Sequence, residues 1–226
     1  MNIAIIGTGN IGATLTRRLA AAGQRVRMAN SRGPETLAGL AAETGAVPMP
    51  VTEVTRDADV VIVAVPQKSI PTLDPAIFRA LRADVPVVDT GNYVPVLRDG
   101  SIDALDNGAA ESRWVESHLG HPVVKAFNTL GVASLRTLGK PAGTPGRIAL
   151  PVAGDDAPAK ARVMELVDQI GFDAVDAGGI DESWRQQPGT PVYTADLDAE
   201  RVRTALAEAK PDQARAWRDR MASPRS

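Results

Sequence analysis

Six residues near the start of the chain, Gly7-Thr8-Gly9-Asn10-Ile11-Gly12, carry the spacing G-x-G-x-x-G. Glycines so placed allow a tight turn, a close approach of backbone to a pyrophosphate, and close packing of a helix on a strand. A helix beginning there adds unpaired N–H groups and the positive end of its dipole. The motif alone is weak, so its context decides. An apolar strand precedes it, a helix follows, and a second strand arrives on schedule, which is the setting it requires. Roughly twenty residues further on, where NAD enzymes place an acid for the ribose hydroxyls, stands Asn30-Ser31-Arg32. No carboxylate is present to repel a 2′-phosphate. Arg32 offers a planar fork matched to phosphate oxygens, and Ser31 a hydroxyl donor. The chemistry implied is the binding of NADP(H).

Other residues admit two readings each. Asn92 follows an apolar run and either contacts ribose or the nicotinamide carboxamide, or closes a turn. Lys125 either polarises a carbonyl or makes a structural ion pair. Asp155 and Asp156 could exchange protons, but capping a helix explains them more cheaply. His118 and His121 are separated by Leu119 and Gly120 with no third ligand in view, so no metal site is expected. Residues 178–193 combine glycines, Trp184, Arg185, Gln186 and Gln187, a composition suited to an acceptor-binding lid or to a surface loop plugged by Trp184. No catalytic triad is present. Transfer of hydride to a flavin-like ring needs stacking and orientation more than a strong acid or base.

These residues must be held by elements that alternate almost from the first residue. Strands are expected over 2–6, 25–29, 59–65, 85–89, 123–127, 147–153 and 173–176. Helices are expected over 10–22, 34–44, 76–81, 108–119, 129–138, 157–170 and 199–209. Such alternation implies an α/β fold with a doubly wound, mostly parallel sheet of the Rossmann type. The glycine- and proline-rich run 139–146 divides a nucleotide-binding domain (1–145) from a small C-terminal α/β lobe (146–226). The polar tail from Pro211 carries little pattern.

Composition narrows the partners. The chain has 226 residues and a net charge of −2, which gives no overall attraction to nucleic acid or acidic membranes. It has no cysteine, hence no disulfide and no thiolate chemistry. No apolar run reaches the roughly 18 residues of a membrane helix, and residues 1–6 start directly as a strand. A cytoplasmic protein is expected.

The glycine loop, Asn30-Ser31-Arg32, Val65-Pro66, Lys125-Ala126-Phe127-Asn128-Thr129, Gly154-Asp155-Asp156 and Asp176-Ala177-Gly178 follow one another in an order that resembles the coenzyme F420-dependent NADP oxidoreductase family. The resemblance spans roughly residues 1–190. It implies hydride transfer between NADPH and a deazaflavin (F420) or flavin-like acceptor. It also implies roles: Thr8, Gly9, Asn10 and Ile11 on the pyrophosphate, and Ser31 with Arg32 on the 2′-phosphate. Val65 and Pro66 would flank ribose and nicotinamide, with Asn128 and Leu130 bordering the hydride-transfer site. The stretch 183–193 has no match to a deazaflavin site. Alternatives are a reductase of a small carbonyl or imine, disfavoured by the short C-terminal part, and a non-catalytic NADPH-binding regulator. A homodimer is expected, with a small-molecule hydride acceptor as the partner.

Overall fold

The computed structural model describes residues 1–222. Six parallel strands form the main sheet in the order β3-β2-β1-β4-β5-β6. They are β1 (Asn2–Ile6), β2 (Arg25–Ala29), β3 (Val47–Pro48), β4 (Val60–Val63), β5 (Val87–Asp89) and β6 (Val123–Lys125). Helices α1 (Asn10–Ala21), α2 (Ala38–Thr44), α3 (Pro75–Arg79), α4 (Asp103–Asp106) and α5 (Glu111–Leu119) connect them. Beyond β6 lie α6 (Val132–Thr137), β7 (Ala149–Val152), α7 (Ala157–Gln169), β8 (Asp173–Asp176), α8 (Ala199–Glu208) and α9 (Gln213–Ala222). β7 and β8 pair in parallel as a second, two-stranded sheet.

Why the sheet is covered on both faces follows from β1. Alternate residues of a strand point to opposite faces. Ile3 and Ile5 join one buried cluster with Leu15 and Leu19 of α1, whereas Ala4 and Ile6 join another with Phe78, Val115 and Leu119. β4, Val-Val-Ile-Val, is buried throughout, as a central parallel strand must be. The first cluster continues into Leu150, Val163, Leu166 and Phe172, so α7 packs on the same face as α1. The two sheets are also joined by backbone. Lys125 N–H donates to the Ala153 carbonyl at 2.8 Å, and Ala153 N–H donates back at 3.0 Å.

Several boundaries differ from the sequence expectation for local reasons. The strand expected over 59–65 ends at Val63, because the chain then lifts over the glycine loop; a Cβ on Gly7 would lie 2.4 Å from the Ala64 carbonyl oxygen. The strand expected to reach Phe127 ends at Lys125. Phe127 takes φ of +65°, a left-handed conformation costly for a bulky side chain, and its buried ring holds it there. The helix expected over 34–44 is a 3₁₀ turn, Pro34–Leu37, followed by α2. The weakly patterned tail forms α9, with Ala214 as its buried residue.

Candidate functional site

β1 sits beside β4 at the point where the strand order reverses, and the glycine loop leaves β1 there. Gly7 has φ of +98°, and a Cβ on Gly12 would lie 1.9 Å from the Gly7 carbonyl oxygen. Both positions therefore need glycine. Gly9 differs: a Cβ there meets nothing within 4 Å, so its face is open. Gly9 is also the N-cap of α1 and makes no side-chain cap, and the first turn holds no acidic residue. The helix thus presents N–H groups and a positive end that the chain itself does not neutralise.

This end opens into a cavity of about 650 Å³. Gly7, Thr8, Gly9, Asn30, Ser31, Arg32, Val65 and Pro66 all line it. Asn10 and Ile11 begin α1 just behind Gly9, and Ile11 packs partly against the core. Asn30 is committed to the turn: its Oδ1 accepts from Arg32 N–H at 2.9 Å, and its Nδ2 donates to Thr36 Oγ1 at 2.9 Å. The turn leaves Ser31 and Arg32 exposed. No acidic side chain among the described residues pairs with the Arg32 guanidinium. The residues fit a pyrophosphate over α1 and a phosphate at Arg32.

Asn92, Asn128 and Leu130 lie elsewhere, at the carboxyl edge of β5 and β6. Leu130 is buried in the core cluster. Asn128 is 3% exposed, and its amide is taken up by protein. Its Nδ2 donates to Asn92 Oδ1 at 3.0 Å and to the Gln186 carbonyl at 2.6 Å; its Oδ1 accepts from Gln186 Nε2 at 2.9 Å. Asn92 Nδ2 returns a bond to the Asn128 carbonyl at 2.9 Å. The three amides fasten the 3₁₀ segment Ile180–Gln186 to the sheet edge.

Beneath them is a buried charge cluster. Lys125 Nζ donates to Asp89 Oδ2 at 2.9 Å and to the Gly91 carbonyl at 2.5 Å. Asp89 also accepts from Ser112 Oγ at 2.8 Å and, through Oδ1, from Gly91 N–H at 2.7 Å. Lys125 is therefore an ion-pair residue, and the carbonyl it engages belongs to its own chain. Glu111 Oε2 accepts from Tyr93 N–H at 3.0 Å, while Oε1 is buried without a hydrogen-bond partner among the described residues. Burial pushes the Glu111 carboxyl up, and Lys125 only partly offsets that. The Tyr93 phenol is pushed up to about 12 by burial and by its bond to Asp106.

The remaining candidates have structural partners. Asp156 caps α7, accepting from Ala159 N–H at 2.7 Å. Asp155 pairs with Arg113 at 2.9 Å, and Arg113 also holds Asp181 at 2.8 Å. Trp184 lies under the Arg185 guanidinium, 5.6 Å from its ring centroid. Among the described residues no group of three or more possible metal ligands occurs, and no helix is long and apolar enough to cross a membrane. Sequence reasoning missed the far wall of the cavity, which includes Val51, Thr52, Leu73, Asp74 and Ile77. These come from a turn, a 3₁₀ segment and the start of α3, which carry no motif.

Residues 2–93 match the family model described as NADP oxidoreductase, coenzyme F420-dependent. The hypothetical protein SMa0349 of Sinorhizobium meliloti superposes with a TM-score of 0.74 at 32% identity, covering 87% of this chain and 95% of that one. A candidate F420-dependent NADP reductase of Arthrobacter sp. FB24 gives 0.63 at 26% identity, over 80% and 86% of the two chains. The Escherichia coli K12 protein YjhV is 47% identical over 76 residues, which is 34% of this chain; the match spans little more than half, 56%, of YjhV.

Proposed function

We propose the following for this chain, which belongs to the coenzyme F420-dependent NADP oxidoreductase family: it binds NADP(H) and transfers hydride between that cofactor and a deazaflavin or flavin-like ring. The observation that carries the reading is one cavity lined both by Gly9, the N-cap of α1 without a side-chain cap, and by Arg32, whose guanidinium has no acidic partner among the described residues. Two anionic groups of one dinucleotide suit its two ends. The nicotinamide, when bound, supplies or receives the hydride. The chain's own part is to bind, orient and exclude water.

In this reading Thr8 and Gly9 hold the pyrophosphate with Asn10 and Ile11, and Ser31 and Arg32 take the 2′-phosphate. Val65 and Pro66 form the wall beside the ribose. Residues 1–145 serve the cofactor, and the segment pinned by Gln186 covers the acceptor side. Asn128 and Asn92 set the shape of that side through their mutual bonds. Lys125, by holding Asp89 and the Gly91 carbonyl, fixes the loop that carries Asn92.

NADPH oxidation against a panel of deazaflavin, flavins, quinones, carbonyls and imines tests the assignment. Turnover with the tricyclic acceptors is expected. Turnover confined to carbonyls or imines would assign the chain to small-substrate reduction, and tight NADPH binding without any turnover would make it a sensor.

A further inference from the structure

The cavity lined by Arg32 is also lined by the apolar side chains of Val51, Leu73 and Ile77, with Thr52 and Asp74 among its polar lining. We propose that Asp74 reads the exocyclic amine of the cofactor's adenine, so that this side chain sets the preference for the base. The proposal rests on the NADP(H) reading above.

Three observations lead to it. The end of a dinucleotide beyond its 2′-phosphate is a flat aromatic base, and the apolar walls suit its faces. Asp74 is the one carboxylate among the described residues that line the cavity. A negative charge in a cavity for a polyanionic ligand is unfavourable unless the ligand brings a donor to it. The adenine amine is such a donor. Finally, only half of the carboxylate is used by the fold. Oδ1 accepts from Ala76 N–H at 2.8 Å as the N-cap of α3, while Oδ2 has no partner among the described residues. A base with a carbonyl in place of the amine would set acceptor against acceptor at that oxygen.

Helix capping alone would explain Oδ1, and the test separates the two roles. Asn caps a helix as well as Asp does, so Asp74→Asn keeps the fold while replacing Oδ2 with a donor. Dissociation constants are measured for NADPH and for reduced nicotinamide hypoxanthine dinucleotide phosphate, which carries a carbonyl at that position. Wild type should favour NADPH by about tenfold or more, the value of one charge-assisted bond. Asp74→Asn should erase or invert that ratio, and Asp74→Ala should erase it while NADPH remains tighter than NADH. An unchanged ratio in Asp74→Asn, with NADPH still bound, would leave Asp74 a helix cap and overturn the proposal alone. If wild type bound neither dinucleotide, the NADP(H) reading would fall and this one with it.

Discussion

Asn128 and Gln186, 58 residues apart, exchange hydrogen bonds in both directions: Asn128 Nδ2 reaches the Gln186 carbonyl at 2.6 Å, and Gln186 Nε2 reaches Asn128 Oδ1 at 2.9 Å. Truncating either side chain strands buried groups on the other. Asn128→Ala should therefore cost about 1–3 kcal/mol of stability, a fall in Tm of roughly 2–4 °C per kcal/mol. It should also slow hydride transfer about tenfold, or ~1.4 kcal/mol in barrier, with NADPH affinity changed much less. Asn128→Leu should be worse, since it adds apolar bulk among amides. Stopped-flow transfer at saturating acceptor, paired with a melt, checks both. A lowered Tm with wild-type transfer would make the interlock purely structural.

Arg32 offers a cleaner measurement, because its side chain makes no hydrogen bond or ion pair with the other described residues. Arg32→Ala should weaken NADPH by about tenfold or more, the loss of one charge-assisted bond. NADH, which lacks the 2′-phosphate, should be nearly unaffected. Calorimetric titration of both cofactors decides it; equal losses would remove Arg32 from the phosphate site.

Gly9 is the position where a side chain blocks ligand but spares fold. Its φ of −69° is open to any residue, and a Cβ finds free space. Gly9→Val should melt close to wild type without ligand. Wild type at one hundred times Kd should gain about 2.7 kcal/mol from NADPH, and the variant should gain none. Undiminished ligand stabilisation in the variant would place the pyrophosphate elsewhere.

Glu111 makes the fold sensitive to pH in a defined direction. Its folded pKa lies above that of the unfolded chain, so the folded state keeps a proton the unfolded state has released. Its contribution is thus fully present below about pH 4.3 and is lost as pH rises towards the folded value, at roughly 1.4 kcal/mol per unit. Glu111→Gln retains an oxygen for Tyr93 N–H and carries no charge. Its Tm advantage over wild type should grow as pH rises above about 4.3. A constant difference across that range would show that Glu111 is ionised in the fold.

What could be read beforehand divides along a physical line. The glycine loop and the turn at Asn30 were legible because a tight backbone and a phosphate restrict residue type at fixed spacing. Ile3, Leu15 and Val61 were legible as core from their periods. Strand ends were not: β6 stops at Lys125 because Ala153 bridges to it, and Ala153 belongs to a distant segment. Nor did Asn128 reveal that its amide would be claimed by Gln186, since a pair 58 residues apart leaves no local signature. The wall at Leu73 and Asp74 escaped notice for the same reason, and α9 because it buries too little to impose a period.

The reciprocal bonds between Lys125 and Ala153 also bear on how copies of this chain could meet. An unpaired sheet edge is a template for another chain's strand. On β6 the outward N–H groups are both occupied, Val123 by Glu116 Oε2 at 3.2 Å and Lys125 by Ala153. The opposite edge is β3, two residues long and ending in Pro48, which has no N–H to give. Neither margin invites extension into a continuous intermolecular sheet. Self-association is then expected to use surfaces other than these two margins, where it can be strengthened or abolished by substitutions that leave the main sheet untouched.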